Sequence, residues 1–186
     1  TAENVDVLLL CVSDDSAVKN VLFGQDGAAE QLQPGSIVID CSTISPKGAQ
    51  QAAAQLERIG VRYIDAPVTG GTEGARAGTL TVLVGGDAAV LAKVRPLLDV
   101  IGGSVHHIGP VGRGQQAKAV NQVLVAGSYA AVAEAIALGQ RLELPMRQVI
   151  DALKSGAAGS WALNHRNGAM LQGHYPLGFK LSLHRK

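Results

Sequence analysis

Lys118, Asn121 and Gln122 stand at i, i+3 and i+4 in a run made mostly of Val, Leu, Ala and Ile. On a helix that spacing puts all three side chains on one face. A cation and two amides on an apolar helix are costly unless they meet a ligand or a partner. A lysine in the first turns of such a helix, stripped of water by apolar neighbours, can trade protons near neutral pH, as a general acid must. Upstream, Gly109, Gly112 and Gly114 make a side-chain-free entry into the helix, open to close approach by a substrate or cofactor. Gly112-Arg-Gly-Gln-Gln-Ala117 formally matches a dinucleotide fingerprint, but its context does not fit. The helix that follows is too long for a crossover, and no acidic strand end comes about 20 residues later.

Two further loops fall at expected carboxyl ends of strands, where open α/β sheets bind ligands. One is Cys41-Ser-Thr43-Ile-Ser45; the other is Asp65-Ala-Pro-Val-Thr69-Gly70-Gly71. Gly70 and Gly71 bare backbone N–H groups and Thr69 adds a hydroxyl, a set that could hold a carboxylate. Thr43 taken alone reads as a helix cap. His106 and His107 are adjacent on a strand, so they face opposite ways and make no metal site; no metal is expected. Trp161 reads as packing. Cys11 and Cys41 lie in apolar strand-like runs and read as buried, reduced thiols, as in a cytoplasmic protein.

The elements that must position these residues are legible. Val5–Val12 and Ser36–Cys41 are continuous apolar runs of the kind that buried parallel strands show, and Val61–Asp65 is a third strand. Helices follow at Ala17–Leu22 and Lys47–Ile59, giving the strand–helix alternation of an open parallel sheet. Ala66–Ala75 reads as a loop, Thr79–Gly85 as a strand, Asp87 as the cap of a helix to Leu98, and Gly103–Ile108 as a last strand. From Gly114 the period is helical only, and Ala119–Gly139 is apolar enough to span a bilayer. Its Asn121, Gln122, Ser128 and Glu134 favour a buried core helix instead.

The fold class expected is therefore α/β: the second part of a Rossmann-type parallel sheet over residues 1–111, then the start of an all-helical domain over residues 112–186. A net charge of +1 on 186 residues and 3% aromatic content speak against a nucleic-acid surface. No membrane anchor is expected. With no initiator Met and a helical pattern still running at Lys186, the chain reads as a fragment.

Three blocks together resemble the β-hydroxyacid dehydrogenase family, of the 3-hydroxyisobutyrate dehydrogenase and tartronate semialdehyde reductase type. They are Asp65-Ala-Pro-Val-Thr-Gly-Gly with Gly74-Ala and Gly78-Thr-Leu; Gly112-x-Gly114-x-x-x-Lys118-x-x-Asn121-Gln122; and Gly178-Phe179 through Leu183-His-x-Lys186. The resemblance implies an NAD- or NADP-dependent oxidoreductase acting on a small carboxylate, a β-hydroxyacid or its semialdehyde. Lys118 would be the general acid and base. Asn121, Thr69, Gly70 and Gly71 would bind substrate, while Thr43 and Lys186 would contact the cofactor. It also implies a homodimer or homotetramer. The family has serine where Thr69 stands, and its glycine-rich pyrophosphate loop is not in this sequence. A non-catalytic oligomerisation platform on the same fold is the alternative reading, and the retention of Lys118 with Asn121 argues against it.

Overall fold

Val7–Leu10 (β1), Ile37–Asp40 (β2) and Arg62–Asp65 (β3) form where the apolar runs require, and they pair in parallel, β1 with β2 and β2 with β3. The computed structural model describes residues 2–175. β2 is buried along its whole length, as a central strand covered on both faces must be. Alternation sends Val38 and Tyr63 to one face, against Asp15–Phe23 (α1) and Pro46–Glu57 (α2) through Val18, Leu22, Ala52 and Leu56. Ile37, Ile39 and Ile64 go to the other face, against Ala88–Ile101 (α4) through Val90, Leu91, Val94 and Leu98. Side-chain caps start the helices. Asp14 accepts from Ala17 N at 2.9 Å, Ser45 Oγ from Gly48 N at 2.9 Å with Pro46 next, and Asp87 from Ala89 N at 2.7 Å.

Beyond β3 the sheet departs from the all-parallel expectation. Residues expected as a loop form Val68–Thr69 (β4) and Gly71–Ala77 (α3), and Leu80–Gly85 (β5) runs antiparallel to both β3 and β4. After β3 the chain runs on through Ala66 and Pro67 into β4, turns through α3 and returns antiparallel as β5. Gly102–Gly109 (β6) then adds in parallel to β5, and the sheet order is β1-β2-β3-β5-β4 with β6 on β5.

Two compact units divide the chain, one reaching Ala119 and the other starting at Val120. Arg113–Arg141 (α5) begins in the first and runs through the second. In the second unit Val132 and Ile136 of α5 pack with Ile150 of Met146–Leu153 (α6) and with Ala162 and Leu163 of Trp161–Gln172 (α7). α5 is not the buried core helix the sequence suggested. Val123 is 74% exposed and Leu124 68%, because helices of 8 and 12 residues cannot cover one of 29. By length and composition alone α5 could cross a membrane. Trp161 is likewise exposed rather than core. Its ring stacks on His165 at 4.5 Å, with the Arg166 guanidinium 4.6 Å from its centroid.

Both thiols are free, but only Cys41 is buried, and burial pushes it up to about 12. Cys11 follows the edge strand β1 and is exposed, against expectation.

At the carboxyl end of β2 the fully buried Asp40 accepts from Ser42 N at 2.9 Å and from the Tyr63 hydroxyl at 2.8 Å. Burial raises its pKa above the ordinary carboxylate value despite those donors, and the Asp15 charge adds to the rise. Between the unfolded value of about 3.9 and the raised folded value, the native state binds more protons than the unfolded chain. This carboxyl therefore costs stability as pH rises through that window. An Asp40→Asn variant keeps an acceptor for Ser42 N, and the Tyr63 hydroxyl can turn to accept from the new amide. In denaturation curves from pH 4 to pH 8, wild-type stability should fall relative to Asp40→Asn, by about 1.4 kcal/mol per unit of pKa elevation. A flat difference would mean that burial does not raise the pKa of Asp40.

Candidate functional site

Asp65 ends β3 with a fully buried carboxylate, and that carboxylate fixes where α5 begins. Its Oδ1 accepts from Gly112 N at 2.7 Å and its Oδ2 from Gln115 N at 2.9 Å. The helix thus receives its capping acceptor from a distant strand end, and a carboxylate is well placed among the unpaired N–H groups of a helix start. Burial nevertheless raises the pKa of Asp65. The donated hydrogen bonds work against that rise, and the neighbouring Asp40 adds to it.

The glycines around this junction let two backbones approach closely. A methyl group on Gly114 would run into Leu83 O, with Asp65 Oδ2 at 2.8 Å and Gly85 N at 2.9 Å. One on Gly85 would run into Asp65 Oδ1 and stand 2.8 Å from Gly114 N. Two bare backbones therefore cross beside the carboxylate, and Gly112 makes the turn before them at φ 91°.

Gln115 carries the connection to the next strand end. It is 2% exposed, and its Oε1 accepts from Ile44 N at 3.1 Å while its Nε2 donates to Ser42 O at 2.8 Å. Ser42 Oγ in turn accepts from Val12 N at 2.9 Å, tying in the end of β1. Thr43 sits between the two gripped residues, half-buried. It is not the cap of α2, since Ser45 holds that place.

Lys118 follows one turn after Gln115 and is 9% exposed, the buried cation that the sequence pointed to. Asn121 is half-buried one turn further along α5, in the second unit, and donates to the exposed Gln122 at 3.0 Å. Thr69 lies on β4 opposite Thr81, and Gly70 and Gly71 open α3 with positive φ of 130° and 67°. The start of α5 thus ties together the Ser42–Ile44 loop, the end of β3 and the turn carrying Lys118, while Thr69–Gly71 lie on the segment that follows β3. Lys186 and the block from Gly178 lie outside the described residues. His106 and His107 are both exposed, and His107 Nε2 lies 2.8 Å from Gly86 O. Among the described residues no three His, Cys, Asp or Glu side chains group as metal ligands.

The reading from sequence gave no role to Asp65 or Gln115. Each left a faint mark: an acid closing an apolar strand, and an amide flanked by a glycine before a buried lysine.

The strand ends also indicate what could bind. At the start of α1, hydrogen bonds from Ser16, Ala17 N and Ser13 hold Asp14 down to about 2, so that helix end already carries its own anion. The Ser42–Ile44 loop, with Thr43 half-buried at its middle, lies at the carboxyl end of β2, a place that fits a dinucleotide on an open α/β sheet.

Residues 1–109 match the NAD binding domain of 6-phosphogluconate dehydrogenase, and residues 112–186 match the NAD-binding domain of NADP-dependent 3-hydroxyisobutyrate dehydrogenase. The chain is 38% identical to 2-hydroxy-3-oxopropionate reductase of Escherichia coli over 99% of its own length and 63% of that protein's. It is 37% identical to 3-hydroxyisobutyrate dehydrogenase of Pseudomonas aeruginosa, covering 99% of this chain and 64% of the relative. A solved 3-hydroxyisobutyrate dehydrogenase from Salmonella typhimurium superposes with a TM-score of 0.86 at 36% identity, over 94% of this chain and 61% of that one. The chain spans roughly three-fifths of the length of the relatives it matches, 61 to 64%. With its Rossmann-like sheet followed by a helical region, the chain belongs to the β-hydroxyacid dehydrogenase family of oxidoreductases, whose cofactor is NAD or NADP.

Proposed function

We propose that the full-length protein interconverts a small β-hydroxyacid and its semialdehyde, with Lys118 as the general acid and base. The observation that carries this reading is the burial of a cation in the first turns of α5, at 9% exposure, on a helix whose start is fixed by Asp65 and Gln115. When bound, the nicotinamide supplies or takes the hydride at the carbon that bears the oxygen. Lys118 Nζ gives a proton to the carbonyl oxygen as negative charge builds on it, and takes that proton back from the hydroxyl in the reverse direction. Asn121, one helical turn on, donates to the substrate beside it. Thr69 Oγ1 and the N–H groups of Gly70 and Gly71 hold the substrate carboxylate. Thr43 contacts the dinucleotide, as does Lys186.

Relatives named for 2-hydroxy-3-oxopropionate, 3-hydroxyisobutyrate and L-serine support a substrate of this size, a short carboxylate oxygenated at its third carbon. We place the division between nucleotide-binding and helical parts at residues 111 and 112. We further read the exposed apolar face of α5 as ground covered by more of the same protein or by a second subunit, in a cytoplasmic homodimer or homotetramer. That face also suits a non-catalytic assembly platform, which would have no use for a buried lysine.

Two variants of the full-length protein test the reading, with NADH and NADPH and a panel of three-carbon and four-carbon semialdehydes. Lys118→Ala should lower kcat by about 10²–10⁴-fold while dinucleotide affinity stays within twofold of wild type. Turnover retained in that variant would remove Lys118 from the chemistry and favour another acid. Thr69→Ala should raise KM for the carboxylate substrate by about tenfold, the loss of one hydrogen bond to a charged group, with a smaller effect on kcat. An unchanged KM would move the carboxylate site elsewhere.

A further inference from the structure

We infer that Gln115 is a positioning residue for the dinucleotide: its buried amide sets Thr43 and locks that loop in register with Lys118. The inference rests on the proposed contact between Thr43 and the cofactor. The side chain makes two hydrogen bonds, and they bracket a single residue. Ile44 N donates to Oε1 at 3.1 Å, and Nε2 donates to Ser42 O at 2.8 Å. A primary amide presenting its donor and acceptor to an N–H and a C=O two residues apart does what a neighbouring β-strand would do. It fixes the backbone on both sides of Thr43, and so the point from which its side chain projects.

The far side of the loop is held as well. Ser42 N donates to Asp40 at 2.9 Å and Ser42 Oγ accepts from Val12 N at 2.9 Å, so the loop cannot drift with the glutamine. Gln115 is anchored through its own main chain, where its N–H meets Asp65 Oδ2 at 2.9 Å. Lys118 is its i+3 neighbour on α5, so the same turn of helix that grips the loop also carries the buried cation. A loop contacting one end of the reaction and a lysine serving the other are thereby referred to one rigid element. Neither Leu nor Met at position 115 could answer both backbone groups, and Glu could answer only the N–H.

The test is a double-mutant cycle in the full-length protein, read as the dissociation constants for NADH and NADPH from nicotinamide fluorescence. Melting temperature, kcat and cofactor KM are recorded alongside. Gln115→Met, an unbranched side chain of similar length, should weaken the dinucleotide tenfold or more. In a Thr43→Ala background the same change should cost less than twofold, because the group it positions has gone. Gln115→Glu, which keeps the bond from Ile44 N, should fall between wild type and Gln115→Met, and it serves the test if Gln115→Met does not fold.

Equal losses from the Gln115 variants in the presence and absence of the Thr43 hydroxyl would overturn the inference. A lowered melting temperature with unchanged dinucleotide affinity would also overturn it, leaving Gln115 a stabilising core residue only. Thr43→Ala binding dinucleotide as tightly as wild type would sink the cofactor role of Thr43 and the inference with it. Lys118→Ala measured in the same series keeps the other failure separate. Turnover surviving in that variant would overturn the assignment of the acid while the binding cycle still decides the role of Gln115.

Discussion

A buried carboxylate sharing two backbone N–H groups holds the first unit to the helix that leaves it. Asp65 sits at the end of β3 with Gly112 N at 2.7 Å and Gln115 N at 2.9 Å, and it is fully shielded from water. A desolvated carboxyl is expensive, and burial does raise its pKa. The unpaired N–H groups of a helix start are expensive too, and each meets the need of the other. The cost of hiding the acid is offset only while the helix begins at this place and in this orientation. A hydrophobic contact would tolerate sliding; this one does not, because hydrogen bonds weaken steeply with angle.

The glycines follow from that requirement. Bringing two N–H groups to one carboxylate means bringing the α5 backbone against the end of β5, and a Cβ on Gly85 or Gly114 would occupy the space of the other strand's peptide atoms. Their spacing resembles a phosphate-binding turn because the geometric demand is similar: backbone must come close to an anion. Here the anion belongs to the protein. The helix end often used to receive a ligand's charge is taken by Asp65, just as the start of α1 is taken by Asp14.

Much of this was legible in the sequence, and the residues show where legibility stopped. Apolar runs and caps gave the parallel strands β1, β2 and β3 and their helices, because period and cap chemistry are local. The antiparallel return of β5 was not legible, since it depends on its pairing with the ends of β3 and β4 rather than on a local period. A glycine-rich start at Gly70 and Gly71 did not announce the helix α3. Thr43 and Ser45 compete for one cap on local grounds, and the choice of Ser45 appears only with Gly48 N in place. Lys118 stood out because a cation among apolar residues is locally anomalous. Asp65 and Gln115 did not, because their partners lie 47 to 73 residues away. The exposed stripe of α5 misled in the opposite sense. Apolar composition alone does not say whether a helix face packs within its own chain.

A core residue need not be polar to fill the space of Gln115, so the amide demands a reason. Replacing it by an apolar side chain would orphan a buried N–H and a buried C=O at about 1–3 kcal/mol each. That explains why the glutamine is kept once the loop has this shape, but not why the loop is held so closely. The proposed function supplies a reason, since hydride transfer needs its partners in one geometry. An α-helix rises 1.5 Å per residue, so Lys118 stands about 4.5 Å along the axis from Gln115, with no flexible joint between them. Reacting groups lose about a hundredfold in rate for a misplacement near 1 Å. Through Gln115 the Ser42–Ile44 loop is fixed to the helical turn next to Lys118, so the two keep one register.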